Sequence, residues 1–283
     1  MFDRKVLKAR AKYVLARCFV LSIIACAIVS IAGGGFVSYG VNIQGVDFSA
    51  MSDVRLIAIC ATAGVLFLIG ICVSIFISAP LRVGLKHFML RAADFEASLD
   101  NLLYPFRANY KNVVWVTFVK NLYIGLWSLL GFVPLALGVW GLGLWDKMTQ
   151  LLPEIKDGSV SAAMMLMLIS GTILFVAIIF SIPAYIKELQ YSMVDYILAE
   201  NPDMKRGDAI RKSKDLMVGN KWAFVKLMFS FVGWHLIANL TCCIGNFLLA
   251  PYIEATYAQM YLEISGQGKD YQGYDFRNPF VGF

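Results

Sequence analysis

Histidine, acid and amide side chains inside apolar sequence are the residues here most able to do chemistry, and they are few. The chain has two histidines, His87 and His235, and neither belongs to a paired-histidine metal motif. No nucleophile elbow, phosphate loop or cluster of carboxylates occurs. Gly33-Gly34-Gly35 lacks the Lys-Ser/Thr and the preceding strand that a phosphate cradle needs, and reads as a loop. No catalytic residue, metal ligand or cofactor is assigned, and the chain is expected not to be an enzyme.

The polar groups that need explaining are Glu254, His235, Asn239, Asn246 and Gln259, all inside apolar stretches near the C-terminal end. A carboxylate at membrane depth costs roughly 2.5–3.5 kcal/mol unless it is paired, protonated or wetted. If the chain turns near Cys243, His235 lies about 12 Å below the turn and Glu254 about 16 Å, within one helical turn of each other. His235 is therefore the expected partner of Glu254. A proton-linked or ligand-binding seam is one outcome. Polar glue between two helices, worth about 0.6 kcal/mol per hydrogen bond, is the other. The spacing favours glue, because a transporter site draws polar groups from several helices. Lys120 is expected to snorkel to the cytoplasmic surface. Cys18, Cys26, Cys60 and Cys72 lie in or beside apolar segments and read as small core residues. The vicinal Cys242-Cys243 pair has no metal-ligand spacing around it.

The elements that must hold these groups are membrane helices. Of the 283 residues 59% are hydrophobic and 16% charged, and the mean hydropathy is +0.67, too apolar for a soluble core. Leu56 to Ser78 carries no charge for 23 residues, about 34 Å of helix. Similar blocks run over 18–46, 121–145, 158–186 and 227–253, the last long enough for a helix, a turn and the start of a return helix. The first helix is expected to stop near Ala32 and to be retained rather than cleaved. The fold class is all-α, a polytopic membrane protein of about six transmembrane helices. The expected layout is one transmembrane domain over 1–264 and a polar, aromatic-containing cytoplasmic tail over 265–283.

Charge placement orients the helices. Six Lys/Arg precede the first span, five (Arg82, Lys86, Arg91, Arg107, Lys111) follow the second, and eight flank 187–226, while the alternate loops hold Arg55, Lys147 and Lys156. This positive-inside pattern puts both termini in the cytoplasm. It explains the net charge of +6 through anionic phospholipid headgroups rather than nucleic acid. The expected location is the bacterial cytoplasmic membrane.

A pattern recurs along the chain. Trp115 and Trp127 are twelve residues apart, as are Trp222 and Trp234. A shift of 107 residues superposes the two pairs and lays Leu102, Leu103, Phe106 and Tyr110 on Ala209, Ile210, Ser213 and Met217, each set one apolar helical stripe. Val6, Ala9, Tyr13 and Cys18 give a weaker copy. Pro80, Pro183 and Pro251 each follow an apolar run and bend three return helices. Three hairpins result, with units of roughly 1–90, 91–198 and 199–264, each introduced by an interfacial amphipathic helix. In the third unit Asn201-Pro202-Asp203 reads as a helix start and Gly219 as its stop. Pro105 must kink or break the second. Trp115, Trp222, Arg211, Lys212 and Lys214 are the candidate lipid-contact residues.

Residues Tyr191-Ser192-Met193, Tyr196 to Pro202, Ala209-Ile210, Met217 to Trp222, Gly233-Trp234, Pro251-Tyr252, Thr256 and Tyr261 form an ordered set, with Leu126 to Leu130 as an earlier piece. Through them the chain resembles a family of uncharacterised bacterial multispanning membrane proteins. It is more distantly similar to the membrane domain of bacterial glycerophosphodiester phosphodiesterases. No catalytic phosphodiesterase domain accompanies it, so the resemblance implies a scaffold and no reaction.

The first expectation for function is a non-enzymatic membrane scaffold or accessory subunit that binds a protein partner or a lipid. The alternative is a transporter or lipid-translocating protein with a site between hairpins around Glu254 and His235. A polar cavity lined by several hairpins separates the second from the first.

Overall fold

A computed structural model describes residues 3–35, 53–137, 143, 146–147, 149–151, 153, 160–240 and 244–268. The expected outer loop over 146–158, the Cys242-Cys243 pair and most of the tail fall largely outside the described residues. The described secondary structure is helical throughout. It comprises α1 (Arg4–Ser30), α2 (Asp53–Val73), α3 (Ala79–Ala93), α4 (Tyr104–Arg107), α5 (Tyr110–Ser128), α6 (Val133–Ala136), α7 (Val160–Tyr191), α8 (Val194–Glu200), α9 (Arg206–Met217), α10 (Lys221–Leu240) and α11 (Ile244–Ile264). Five stretches are long and apolar enough to cross a membrane: Arg4–Gly33, Ile57–Ala93, Tyr110–Phe132, Val160–Glu200 and Lys221–Leu240. The chain packs as two compact units, Met1–Phe118 with Met193–Phe283, and Val119–Ser192.

In the larger unit α1 lies along α11, and both pack on α3. The buried face of α1 follows helical spacing through Leu7, Ala11, Val14, Leu15, Cys18, Ser22, Ala25, Cys26 and Val29. Small residues on both sides, Ala11 and Ala25 on α1 and Ala255 and Ala258 on α11, are buried, and let backbones approach closely. The helix bends at Cys18 (φ −133°, ψ 24°), where the Ser22 hydroxyl donates to the Cys18 carbonyl at 2.9 Å. Such a hydroxyl competes for the helical acceptor and bends the axis. The first interfacial segment is thus continuous with its span. Its cations also find protein partners: Arg10 pairs with Glu263 at 2.7 Å, and the Lys8 ammonium sits 4.3 Å above the Phe231 ring. Beyond α1, Ile31–Gly35 continues as a π-helical turn, so the glycine triplet extends the helix that was expected to stop near Ala32.

A second π-helical turn, Ser74–Ser78, joins α2 to α3, with Pro80 in the first turn of α3. Pro80 has no N–H to offer the Phe76 carbonyl one turn back, and that carbonyl accepts instead from the Tyr110 hydroxyl at 2.8 Å. The helix α3 is buried over most of its length. At Gly84 the carbonyl of Leu102 comes so close that a Cβ would stand 1.9 Å from its oxygen. One turn on, His87 stacks on Tyr104 at 4.0 Å, and its Nδ1 lies 2.8 Å from the Ala199 carbonyl. Leu99–Leu103 is a 3-10 turn, α4 holds Pro105 in its first turn, and the helix breaks at Ala108 (ψ −149°). Of the stripe expected there, Leu102 is buried while Leu103 and Phe106 are exposed, because the tight turn does not keep them on one face.

Asn201-Pro202-Asp203 is a turn after α8, and α9 starts at Arg206 rather than at Pro202. The Asn112 amide donates to the carbonyls of Pro202 (2.6 Å) and Met204 (2.9 Å), and Asn109 donates to Asp203. These tertiary bonds hold the segment away from helical geometry. The helix α9 buries Ala209, Ser213 and Met217, the expected stripe, and Gly219 follows it at φ +76°, a left-handed conformation suited to a stop.

In the smaller unit α7 carries Pro183 in its interior and buries four of its 32 residues, Ala162, Ala184, Leu189 and Tyr191. Uncovered Leu, Ile, Phe and Met along such a helix are what a lipid-facing surface requires. Gly131 meets Ser181 there, where a Cβ would be 2.7 Å from the hydroxyl. Cys72 on α2 is exposed and not a core residue, while Cys18 and Cys26 are buried.

Candidate functional site

The charged centre of the larger unit is an ion pair between Lys86 of α3 and Glu254 of α11, with side chains 15% and 24% exposed. Lys86 also lies 5.1 Å from the centroid of the Tyr196 ring on α8. Behind it, Tyr196 and Tyr261 stack at 5.1 Å, and the Tyr261 hydroxyl donates to Glu200 at 2.6 Å. The α3 cation is therefore held against two further helices, α8 and α11. An aromatic face and a carboxylate together offset the loss of water around an ammonium.

This corrects the expected partner of Glu254, which is Lys86 and not His235. The charge pattern alone assigns the basic residues after the second span to lipid headgroups; in the structure the helix runs on from Ile57 to Ala93, and Lys86 of α3 meets Glu254 of α11. His235 Nδ1 lies 3.2 Å from the Asn246 side-chain oxygen, and the Asn246 amide donates to Asn239 at 2.7 Å. Those three form a polar chain between α10 and α11. Gln259 is almost fully buried on α11.

Two cavities meet at Glu254. The first, about 370 Å³, is lined by Arg82, Lys86, Asp195 and Glu254 with Cys26 and Ser30 of α1. The second, about 520 Å³, runs from Glu254, Cys26 and Ser30 to His235 and Asn246, with Phe247 and Ile253 as apolar wall. They share Cys26, Ser30, Ala250 and Glu254. The result is an open groove along one side of the larger unit, called the track below, with charged groups at one end and exposed neutral polar groups at the other. Five helices, α1, α3, α8, α10 and α11, contribute to it.

Sequence reasoning missed Arg82, Lys86, Asp195 and Ser30. A signal was present: Ser78, Arg82 and Lys86 recur every four residues directly after an uncharged block, which places them on one helical face. The interfacial candidates lie apart from the track. Trp115 and Trp222 are 54% and 73% exposed; Arg211 is exposed on α9, and Lys212 and Lys214 are half-buried. Lys120, expected to snorkel, is buried. Among the described residues no group of three or more His, Cys, Asp or Glu side chains is placed to hold a metal ion.

A family model described as "Protein of unknown function (DUF975)" matches residues 2–268. The chain belongs to this family. The matched stretch contains every residue of the track, so in DUF975 terms the cavity lies in the family's own domain and not in an appendage. Searches of curated proteins and of solved structures returned no match.

Proposed function

We propose that this protein is a non-enzymatic lipid-translocating protein of the bacterial cytoplasmic membrane, with six crossings in three hairpins and both termini inside. The observation that carries it is the groove through Glu254, whose polar groups come from five helices. Polar groups drawn from several helices are what a translocation path needs and what glue between two helices does not. In this reading α11, 21 residues long with Pro251 inside it, is the sixth crossing. Lys86, Glu254, His235 and Asn246 supply a succession of polar contacts for a headgroup, while acyl chains stay in the lipid.

The test is lipid movement in vesicles of purified protein carrying a fluorescent phospholipid that an external reductant bleaches. The expected result is bleaching beyond the outer-leaflet share, lost in a folded Lys86→Met/Glu254→Gln double variant. Wild-type vesicles indistinguishable from protein-free ones would contradict it. The accessory-subunit reading has one specific support, the exposed basic residues Lys205, Arg206 and Arg211 of the α9 region. A stable protein partner recovered from native membranes, with no lipid movement, would favour it.

A further inference from the structure

Arg4, Lys8 and Lys12 recur every four residues on α1, so they leave one face of the helix about 6 Å apart along its axis. That face looks towards α10 and α11. The Arg4 guanidinium donates to the Lys226 carbonyl at 3.3 Å, and the Lys8 ammonium to the Ser230 carbonyl at 3.5 Å. Lys12 stands 5.9 Å from the centroid of the Tyr252 ring. These are weak partners for cations. The two carbonyls already belong to the hydrogen-bond ladder of α10, and an aromatic face offers less than an anion does.

No carboxylate answers the three charges. The helices α1, α10 and α11 contain two acids between them, Glu254 and Glu263, and these pair with Lys86 and Arg10. Asp3, next to Arg4, caps α1 by accepting from the Lys5 N–H at 2.9 Å. Among the described residues Arg4, Lys8 and Lys12 have no ion pair, and the charges of Arg4 and Lys12 both repel Lys8. Like charges one helical turn apart are unfavourable, and an anion set among them relieves that cost.

The surroundings say which anion. Arg4 and Lys12 are exposed and Lys8 is half-buried, so the row opens on the surface. On either side of Ser230, α10 exposes Phe229 and Val232, with Trp234 one turn further on, and α1 exposes Phe19 and Val20. A cation row bordered by apolar surface fits an anionic head that carries hydrocarbon tails. A soluble anion would use the charges alone.

We propose that Arg4, Lys8 and Lys12 bind the head of an anionic phospholipid, with its acyl chains against α10. In the layout proposed above this site lies in the cytoplasmic leaflet. It is separate from the track at Glu254 and does not depend on the protein moving lipid.

The test is retention of defined lipids by the full-length protein in detergent, read by native mass spectrometry. Phosphatidylglycerol, phosphatidylethanolamine, inorganic phosphate and poly-glutamate are the probes. Phosphatidylglycerol is expected to be retained about tenfold over phosphatidylethanolamine, whose ammonium cancels the charge that the row recognises. Lys8→Gln lowers phosphatidylglycerol retention about fivefold, the worth of one basic residue beside an anionic head. The Arg4→Gln/Lys8→Gln/Lys12→Gln variant lowers it about a hundredfold. Lys8→Arg retains the lipid as the wild type does, which separates lost charge from lost folding. Lys111→Gln, which removes an exposed cation from α5, leaves retention unchanged. Equal retention of the two lipids, wild-type retention by the triple variant, or a loss in Lys111→Gln as large as in Lys8→Gln would overturn the site. So would displacement at equal concentration by inorganic phosphate, which would make the ligand a free phosphate, or by poly-glutamate, which would make it an acidic protein segment. Selective retention in a protein that moves no lipid in vesicles would end the translocation reading and leave this site standing.

Discussion

At the scale of single residues, the Lys86–Glu254 pair decides most. Each charge compensates the other in a setting with little water, so removing one leaves the other costly, while removing both at once does not. Lys86→Met or Glu254→Gln alone is expected to destabilise by about 2 kcal/mol. The double variant is expected close to wild type, as measured by thermal unfolding in detergent. Additive losses in the cycle would show that the two groups do not act as a pair. The importance of Glu254 was legible from sequence, because an acid in an apolar helix always needs an explanation. Its partner was not. Helical spacing reports which residues share a face of one helix, and Lys86 meets Glu254 through the packing of α3 on α11, which no local pattern encodes. The His235–Asn246–Asn239 chain was closer to reach, since all three lie on consecutive helices, Lys221–Leu240 and Ile244–Ile264.

Among the elements, α3 is the one on which the site depends. Its inward face carries Arg82 and Lys86 to the cavity, and its other faces are fixed by Gly84 against Leu102 and by His87 between Tyr104 and Ala199. Gly84→Ala places a methyl where a carbonyl oxygen stands, with an expected cost of about 1–3 kcal/mol and loss of lipid movement. Gly64→Ala on α2, where a Cβ meets nothing within 4 Å, is expected to be neutral or to stabilise by up to about 1 kcal/mol. Unfolding temperatures of the two variants side by side check this, and equal effects would refute the close approach. The stripe of Ala209, Ser213 and Met217 on α9 was legible because one surface helix obeys one period. The start of α9 was not, because Asn112 on α5 captures the carbonyls that would have begun a helix at Pro202. Nor was the fate of Leu103 and Phe106, since a 3-10 turn and Pro105 change the angular spacing that the sequence alone presents as α-helical.

For the whole molecule, length and charge placement were enough to read an all-helical chain with several helices long and apolar enough to span a membrane. That the larger unit joins residues from both ends of the chain, Met1–Phe118 with Met193–Phe283, was not, because α1 packs on α11 across more than two hundred residues. Bringing the ends together is what forms the track: α1 gives it Cys26 and Ser30, and α11 gives it Ala250 and Glu254. The account stands on that track being polar and reachable by water while the outer faces of the same helices meet lipid. Cysteine accessibility measures this most directly, in a cysteine-free version of the protein in membranes treated with a water-soluble thiol reagent. Ser30→Cys, Asn246→Cys and Ala250→Cys are expected to react, and Phe229→Cys and Leu236→Cys, on exposed apolar positions of α10, to stay unmodified. Unreactive track positions in a folded protein, or lipid-face positions that react as readily, would contradict the account.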